Sequence, residues 1–236
     1  MAPPLPAGRP DLSLFFGQSS FSQYVVTRAS NAVVVDPEVD LTLLGPLGCG
    51  IQTGSGTVLN RLKPVVGESL VVFGCGAVGL SAIMAAKLTG CSQIIAVDIH
   101  ASRLALAREL GATHQINGKE QDAVAVIKQI TGKGAHYAVE TTGVSAIVLQ
   151  AVHAVKPLGT VAIVGFTGDI TLNVQNDLMA EGKSLVGVIE GDAVPALFIP
   201  LLVQLYKQGK FLSISLSPAI RWPISTGPSP TRRPAR

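Results

Sequence analysis

Three glycines, Gly74, Gly76 and Gly79, stand in G-x-G-x-x-G spacing within the run "VVFGCGAVG", and an acid, Asp98, follows 19 positions after the last of them. The chemistry open to such a set is to hold a pyrophosphate and a ribose. The first glycine permits a tight turn, the second lets the backbone approach the phosphates, and the third lets a helix pack closely on a strand. Ala77 and Val78, between the second and third, open the helix whose free N–H groups and dipole face the anion. A carboxylate at Asp98 can accept hydrogen bonds from both ribose hydroxyls and would repel a 2′-phosphate, so these residues favour NAD over NADP. A structural glycine turn followed by a helix-capping Asp is the alternative. Context decides against it: the pattern follows a predicted strand, opens a predicted helix, and has its acid at the end of the next strand. Cys75, between the glycines, reads as a small packed residue.

The second candidate is Cys49, set between glycines in "GPLGCGIQTG" (45–54) at the start of a predicted helix, with no Cys and no His before it. A catalytic zinc takes about three protein ligands and an open position, so one thiolate does not assemble such a site. His100, His114, His136 and His153 fall at predicted strand or helix edges as isolated imidazoles and read as non-ligands. Glu140 and Glu190 read as polar residues at strand ends.

The elements that must position these residues alternate from about residue 69. Strands are predicted at "SLVVFG" (69–74), "QIIAVD" (93–98), "THQIN" (113–117), "AHYAVETTG" (135–143), "GTVAIVGF" (159–166) and "SLVGVIEG" (184–191). Helices are predicted at 77–90, closed by Gly90, at 101–111, opened by Ala101 or Ser102 and closed by Gly111, at 121–132 and at 144–155. A last helix begins near Asp192 with Pro195 in its first turn. This βαβ rhythm predicts right-handed crossovers and a doubly wound parallel α/β sheet. Residues 11–44 break the rhythm: "SQYVVT" (22–27) and "NAVVVD" (31–36) read as strands with no helix between them, as in a β-rich domain.

Composition bounds the rest. The chain has 236 residues and a net charge of +3, but Arg221, Arg232, Arg233 and Arg236 all lie in a tail without acids. Without them 14 basic residues face 15 acidic ones, so the charge does not indicate nucleic-acid binding. The apolar runs are broken by glycines and none reads as a membrane span. The amino end lacks a cationic start followed by an apolar stretch. Three cysteines fit no disulfide framework, so a cytoplasmic setting is expected.

"LLGPLGCGIQTGSGTVLN", "VFGCGAVGLSAIMAAKL" and "VIEGDAVPALFIPLLVQLYKQGKF", with "FFGQSSF" near the start, resemble the zinc-dependent medium-chain alcohol dehydrogenases, most of all the aryl-alcohol (benzyl-alcohol) branch. The resemblance spans roughly residues 15–211 and implies a Rossmann domain beside a GroES-like catalytic domain. It also implies that Cys49 matches one zinc ligand and that Thr53, one turn on, packs beside the nicotinamide. Arg103 matches a basic residue on the adenosine-ribose side, and Val164 and Gly165 match backbone positions near the carboxamide. Thr142 and Phe166 are expected on the same cleft. The family's other zinc ligands and its four-cysteine zinc loop have no counterpart in the sequence.

The implied division is 1–44, a remnant of the catalytic domain; 45–191, the NAD-binding Rossmann domain; 192–211, a helix returning to the catalytic domain; and 212–236, a disordered tail. Codons compatible with that tail, shifted by one base after Phe211, also encode a run similar to the family's carboxy-terminal continuation, so a frameshift is expected there. The implied activity is NAD-dependent oxidation of aromatic primary alcohols to aldehydes, with NAD and zinc as cofactors, on a truncated chain whose zinc site is incomplete. The alternative is a non-catalytic NAD-binding module. Expected partners are a small alcohol or aldehyde and further copies of the chain, as a dimer or tetramer, with no nucleic acid and no membrane. A zinc-free quinone-reductase-like enzyme is disfavoured by Asp98 and Cys49.

Overall fold

The computed structural model describes residues 27–40 and 43–211. Six strands form one all-parallel sheet: β1 (Ser69–Phe73), β2 (Gln93–Asp98), β3 (His114–Asn117), β4 (Ala135–Glu140), β5 (Val155–Ile163) and β6 (Ser184–Gly187). Their spatial order is β3-β2-β1-β4-β5-β6. The order therefore reverses between β1 and β4, and it is there, beyond the carboxyl ends of the strands, that such sheets open a crevice for a dinucleotide.

β1 is buried along its whole length, as a central parallel strand covered on both faces must be. Its side chains alternate between two cores. Leu70 and Val72 join one cluster with α1 (Gly50–Gly56), α2 (Ala77–Leu88), α3 (Ala101–Leu110) and α6 (Pro195–Lys207). Val71 and Phe73 join the other with α4 (Ala123–Thr131) and α5 (Ser145–Ala154). The helices end where glycine allows: Gly111 closes α3 at φ 131° and Gly132 closes α4 at φ 82°. Asp122 caps α4 by accepting from the N–H of Ala125 at 3.2 Å. α1 runs on into a π-helical turn, Thr57–Leu62.

Three expected elements differ. No strand forms over 31–36; Ala29–Asn31 make a short 3-10 turn and residues 32–36 join no ladder. The apolar alternation there is real, since Val33 and Val35 rest on the core while Val34 is exposed. It marks one docked face, whereas a strand also needs a partner for its backbone groups. Most of the strand expected over 22–27, and the tail 212–236, lie outside the described residues. β6 stops at Gly187, whose partner Ile163 is the last residue of β5, and residues 190–192 beyond it adopt left-handed backbone that no ladder accommodates, with φ of 51°, 69° and 48° at Glu190, Gly191 and Asp192. α6 accordingly starts at Pro195, where proline's fixed φ suits the first helical turn.

Candidate coenzyme site

The glycine turn joins β1 to α2, and each glycine has a different steric reason. Gly74 has φ 91°, and a Cβ there would lie 2.6 Å from Thr141 Oγ1. A Cβ on Gly79 would lie 1.8 Å from the Gly74 carbonyl, so α2 sits directly against the turn only because that position is bare. A Cβ on Gly76 would meet no atom within 4 Å. Its bareness is not required by the protein's own packing. It leaves room in front of the amino end of α2, where an anion is favoured by free N–H groups and the helix dipole.

Asp98 closes β2 beside this turn and is buried. Its Oδ2 accepts from the N–H of Cys75 at 2.7 Å, and Oδ1 accepts from Ile99 N–H at 2.7 Å and His100 N–H at 2.9 Å. A carboxylate has about four lone-pair sites, so these three bonds fix the group's orientation and leave acceptor capacity on Oδ2. The Arg103 guanidinium, on the exposed face of α3, stands 3.7 Å from the same oxygen.

Turn and acid open into one cleft of about 560 Å³, lined among others by Gly74, Gly76, Ala77, Val78, Asp98 and Arg103, together with Thr142 from the end of β4. An apolar wall of Ile99, Val144 and Ile147, with Gln150, completes it. Sequence reading missed that wall, since short apolar residues after strands carry no motif. It also missed what shapes the β4 end. Glu140 is fully buried, and its Oε1 accepts from Thr142 N–H at 2.6 Å, from the Thr142 hydroxyl, and from Gly143 N–H at 3.2 Å. Its carbonyl takes the N–H groups of Val164 and Gly165 at 2.9 and 3.0 Å. The carboxylate thus shapes the turn after β4, while the main-chain carbonyl of the same residue ties it to the end of β5.

Val164 and Gly165 follow β5 next to Gly143 and do not line the cleft. Phe166, expected on the cleft wall, is fully exposed and is not part of it. What packs there is its backbone: a Cβ on Gly143, itself at φ 70°, would lie 2.4 Å from the Phe166 carbonyl.

Cys49 and Thr53 belong to a second assembly at the same end of the sheet. Cys49 is the residue before α1, and α1 lies across the start of α2, where a Cβ on Gly54 would come 1.9 Å from the Val78 carbonyl. The loop after β6 latches onto α1. Glu190 Oε2 accepts from Gln52 Nε2 at 3.0 Å and from the Thr53 hydroxyl at 3.3 Å. The Gly191 carbonyl accepts from Asn60 Nδ2 at 3.0 Å, and Asp192 pairs with Arg61 at 3.4 Å. Gly191 and Gly56 touch through bare backbone, since a Cβ on Gly56 would lie 2.4 Å from the Gly191 carbonyl. Left-handed backbone costs a non-glycine residue about 1–2 kcal/mol, so Glu190 and Asp192 hold this loop against that strain through their side-chain partners.

Gln52 is almost wholly buried. Its Nε2 also donates to the Gly48 carbonyl at 3.0 Å, and its Oε1 has no partner among the described residues. Turning the amide over would set its oxygen against two acceptors, so the orientation is fixed by its neighbours.

The cysteines differ in environment. Cys75 is buried, and burial followed by the Asp98 charge pushes its thiol up to about 12. Cys49 is exposed; partial burial first, and the Glu190 charge second, raise its thiol above the usual range. No three His, Cys, Asp or Glu side chains gather as a metal-binding group among the described residues. Cys49 with Glu190 nearby falls short of the three ligands a catalytic zinc takes, so these residues do not fit that ion. Nor is any helix among them long and apolar enough to cross a membrane.

Residues 77–207 match the family model described as "Zinc-binding dehydrogenase". The chain is 44% identical over 211 residues to the geraniol dehydrogenase of Castellaniella defragrans, covering 87% of this chain and 56% of that protein. Among solved structures, the benzyl alcohol dehydrogenase of Acinetobacter calcoaceticus superposes with a TM-score of 0.82 at 52% identity, over 84% of this chain and 56% of that one. An alcohol dehydrogenase zinc-binding domain protein from Burkholderia ambifaria gives a TM-score of 0.81 at 51% identity, over 84% and 54% of the two chains. The chain therefore spans just over half the length of these relatives.

Proposed function

Since this chain belongs to the zinc-binding dehydrogenase family, we propose that its cleft binds NAD and that its lineage is that of an NAD-dependent alcohol dehydrogenase acting on aromatic primary alcohols. The observation carrying this reading is the pairing of a bare, unobstructed Gly76 at the amino end of α2 with a buried, pre-oriented Asp98 in one cleft. The pyrophosphate lies against the turn, with Ala77 and Val78 opening the helix that faces it, while Gly74 and Gly79 shape it from behind. The adenosine ribose donates its hydroxyl hydrogen bonds to Asp98, with Arg103 alongside. The other half of the coenzyme extends across the switch point past Thr142 toward the ends of β5 and β6, where Val164, Gly165 and Phe166 begin the loop and Thr53 is buried on α1. Bound NAD supplies a hydride acceptor. This chain's residues supply orientation and exclusion of a 2′-phosphate.

For substrate, the similarity to a benzyl alcohol dehydrogenase supports an aromatic primary alcohol, with geraniol the alternative suggested by the geraniol dehydrogenase. A second reading, an NAD-binding module without catalysis, is favoured by one observation: the described residues do not fit the catalytic zinc, leaving Cys49 without a ligand set. Purified chain tested together for NADH fluorescence, zinc content and benzyl alcohol oxidation separates the two. Binding with stoichiometric zinc and turnover supports the enzyme, binding without either supports the module, and no binding to folded protein ends both.

A further inference from the structure

Glu190 holds a place that neither the glycine turn nor Asp98 explains. It is the acid that follows β6, with its carboxylate brought onto α1 by the Gln52 amide and the Thr53 hydroxyl at 3.0 and 3.3 Å. The residue adopts left-handed backbone to reach there, at φ 51°, a conformation ordinarily left to glycine. The loop that carries it leaves β6 beside the end of β5, where the Val188 N–H donates to the Ile163 carbonyl at 3.0 Å, and the Val164 N–H ties that end to the Glu140 carbonyl of β4 at 2.9 Å; the exposed Cys49 lies near enough for the Glu190 charge to raise its thiol. Next to that carboxylate lies the buried Oε1 of Gln52, without a partner among the described residues. The cation described beside this loop, Arg61, pairs with Asp192 at 3.4 Å, and among the described residues the Glu190 carboxylate has no ion pair.

Topology indicates what arrives there. In a sheet of this order a dinucleotide crosses the switch point with its adenosine half on the side of β2, which Asp98 ends here, and its other half over the ends of β4 and the strands beyond. That second half ends in a nicotinamide, which carries a positive charge when oxidised and none when reduced. An acid fixed near it attracts only the oxidised ring, whereas the phosphates and the adenosine are the same in both forms.

We propose that Glu190 is a selectivity residue that favours the oxidised, cationic nicotinamide over the reduced, neutral one. The inference rests on the coenzyme reading above. Its role is electrostatic, so it acts on the ratio of the two affinities and leaves the adenosine end unchanged.

Calorimetric titration of NAD+, NADH and ADP-ribose into the unmodified chain and into Glu190→Gln tests this. Gln keeps an acceptor oxygen for Gln52 and Thr53 and removes the charge. The expected result is a loss of NAD+ affinity of about threefold to tenfold, with NADH and ADP-ribose unchanged and the loss reduced at high salt. An unchanged NAD+ to NADH ratio overturns the proposal. So does a variant that loses all three ligands, since Glu190 would then be a latch of the fold. ADP-ribose failing to bind the folded unmodified chain overturns the coenzyme reading instead, which keeps the two failures apart.

Discussion

Asp98 and Cys75 are joined by a 2.7 Å hydrogen bond from the Cys75 N–H to Asp98 Oδ2, which ties the end of β2 to the middle of the glycine turn. Asp98 and the glycine turn are thereby held as one unit. Asp98→Asn keeps the shape but turns one acceptor into a donor facing backbone N–H groups. Coenzyme affinity is expected to fall by at least about tenfold, and stability by about 1–3 kcal/mol for a buried donor left unpaired. Calorimetry and urea unfolding measure the two separately; wild-type NAD affinity in a folded Asp98→Asn chain would remove Asp98 from the site.

Thiol labelling reads the second environment. Cys75, buried with its thiol pushed up to about 12, is expected to stay unmodified by iodoacetamide at pH 8 while the chain is folded. Cys49 is exposed and reacts first, slowed by its raised thiol. Because the Glu190 charge contributes to that rise, Glu190→Gln should lower the Cys49 thiol and speed its labelling. Peptide mapping by mass spectrometry gives the order. Modification of Cys75 before Cys49 would contradict the packing of the turn.

The imidazole at the opposite end of the sheet predicts a pH effect. His136 Nδ1 accepts the Ser69 N–H at 3.2 Å, and burial, then the Lys156 charge, lower its pKa below 6.5. A neutral Nδ1 suits that bond, and a protonated one would set donor against donor. The unfolded chain therefore takes up this proton at a higher pH than the folded one does. As pH falls below 6.5 the unfolded state is favoured, until the folded His136 also protonates, and stability drops across that window. Replacing His136 by Asn should flatten this part of a Tm-against-pH curve; an unaltered slope would assign it to other groups.

The parts of the fold and site that were legible in the sequence are those where local pattern and tertiary demand coincide. The glycines of the turn, the apolar strand before them and Asp98 each carry a steric or electrostatic need that only certain residue types meet. With the alternation of strands and helices they pointed to a doubly wound parallel sheet and to the turn that lines the cleft, while the order of the strands in that sheet was not read. Residues 31–36 misled because alternation reports a docked face and says nothing of a partner strand. Glu140 and Glu190 read as generic strand-end acids because their work depends on partners distant in sequence, such as Thr53, 137 residues before Glu190. The left-handed run at 190–192 has a single glycine to announce it. Phe166 was expected on the cleft through the family resemblance, whereas its side chain is exposed and its carbonyl packs against Gly143.

Gly76 and Gly79 provide the sharpest separation of function from folding, since they occupy one turn and differ in what an added methyl would strike. At Gly79 the Cβ would lie 1.8 Å from the Gly74 carbonyl, a backbone atom that cannot yield without moving α2 off β1. Gly79→Ala is therefore expected to destabilise the chain by about 1–3 kcal/mol, as overpacking does, and to weaken coenzyme binding only through that loss. At Gly76 the methyl enters open space, and the residue lies at φ −77° and ψ −172°, backbone that alanine adopts freely. Gly76→Ala should thus keep the wild-type unfolding midpoint. Its methyl would stand where the pyrophosphate approaches, so NADH affinity should drop by about tenfold or more. Urea unfolding paired with NADH fluorescence titration on both variants makes the comparison. A Gly76→Ala chain that is stable and binds as before would mean that no phosphate lies against the turn.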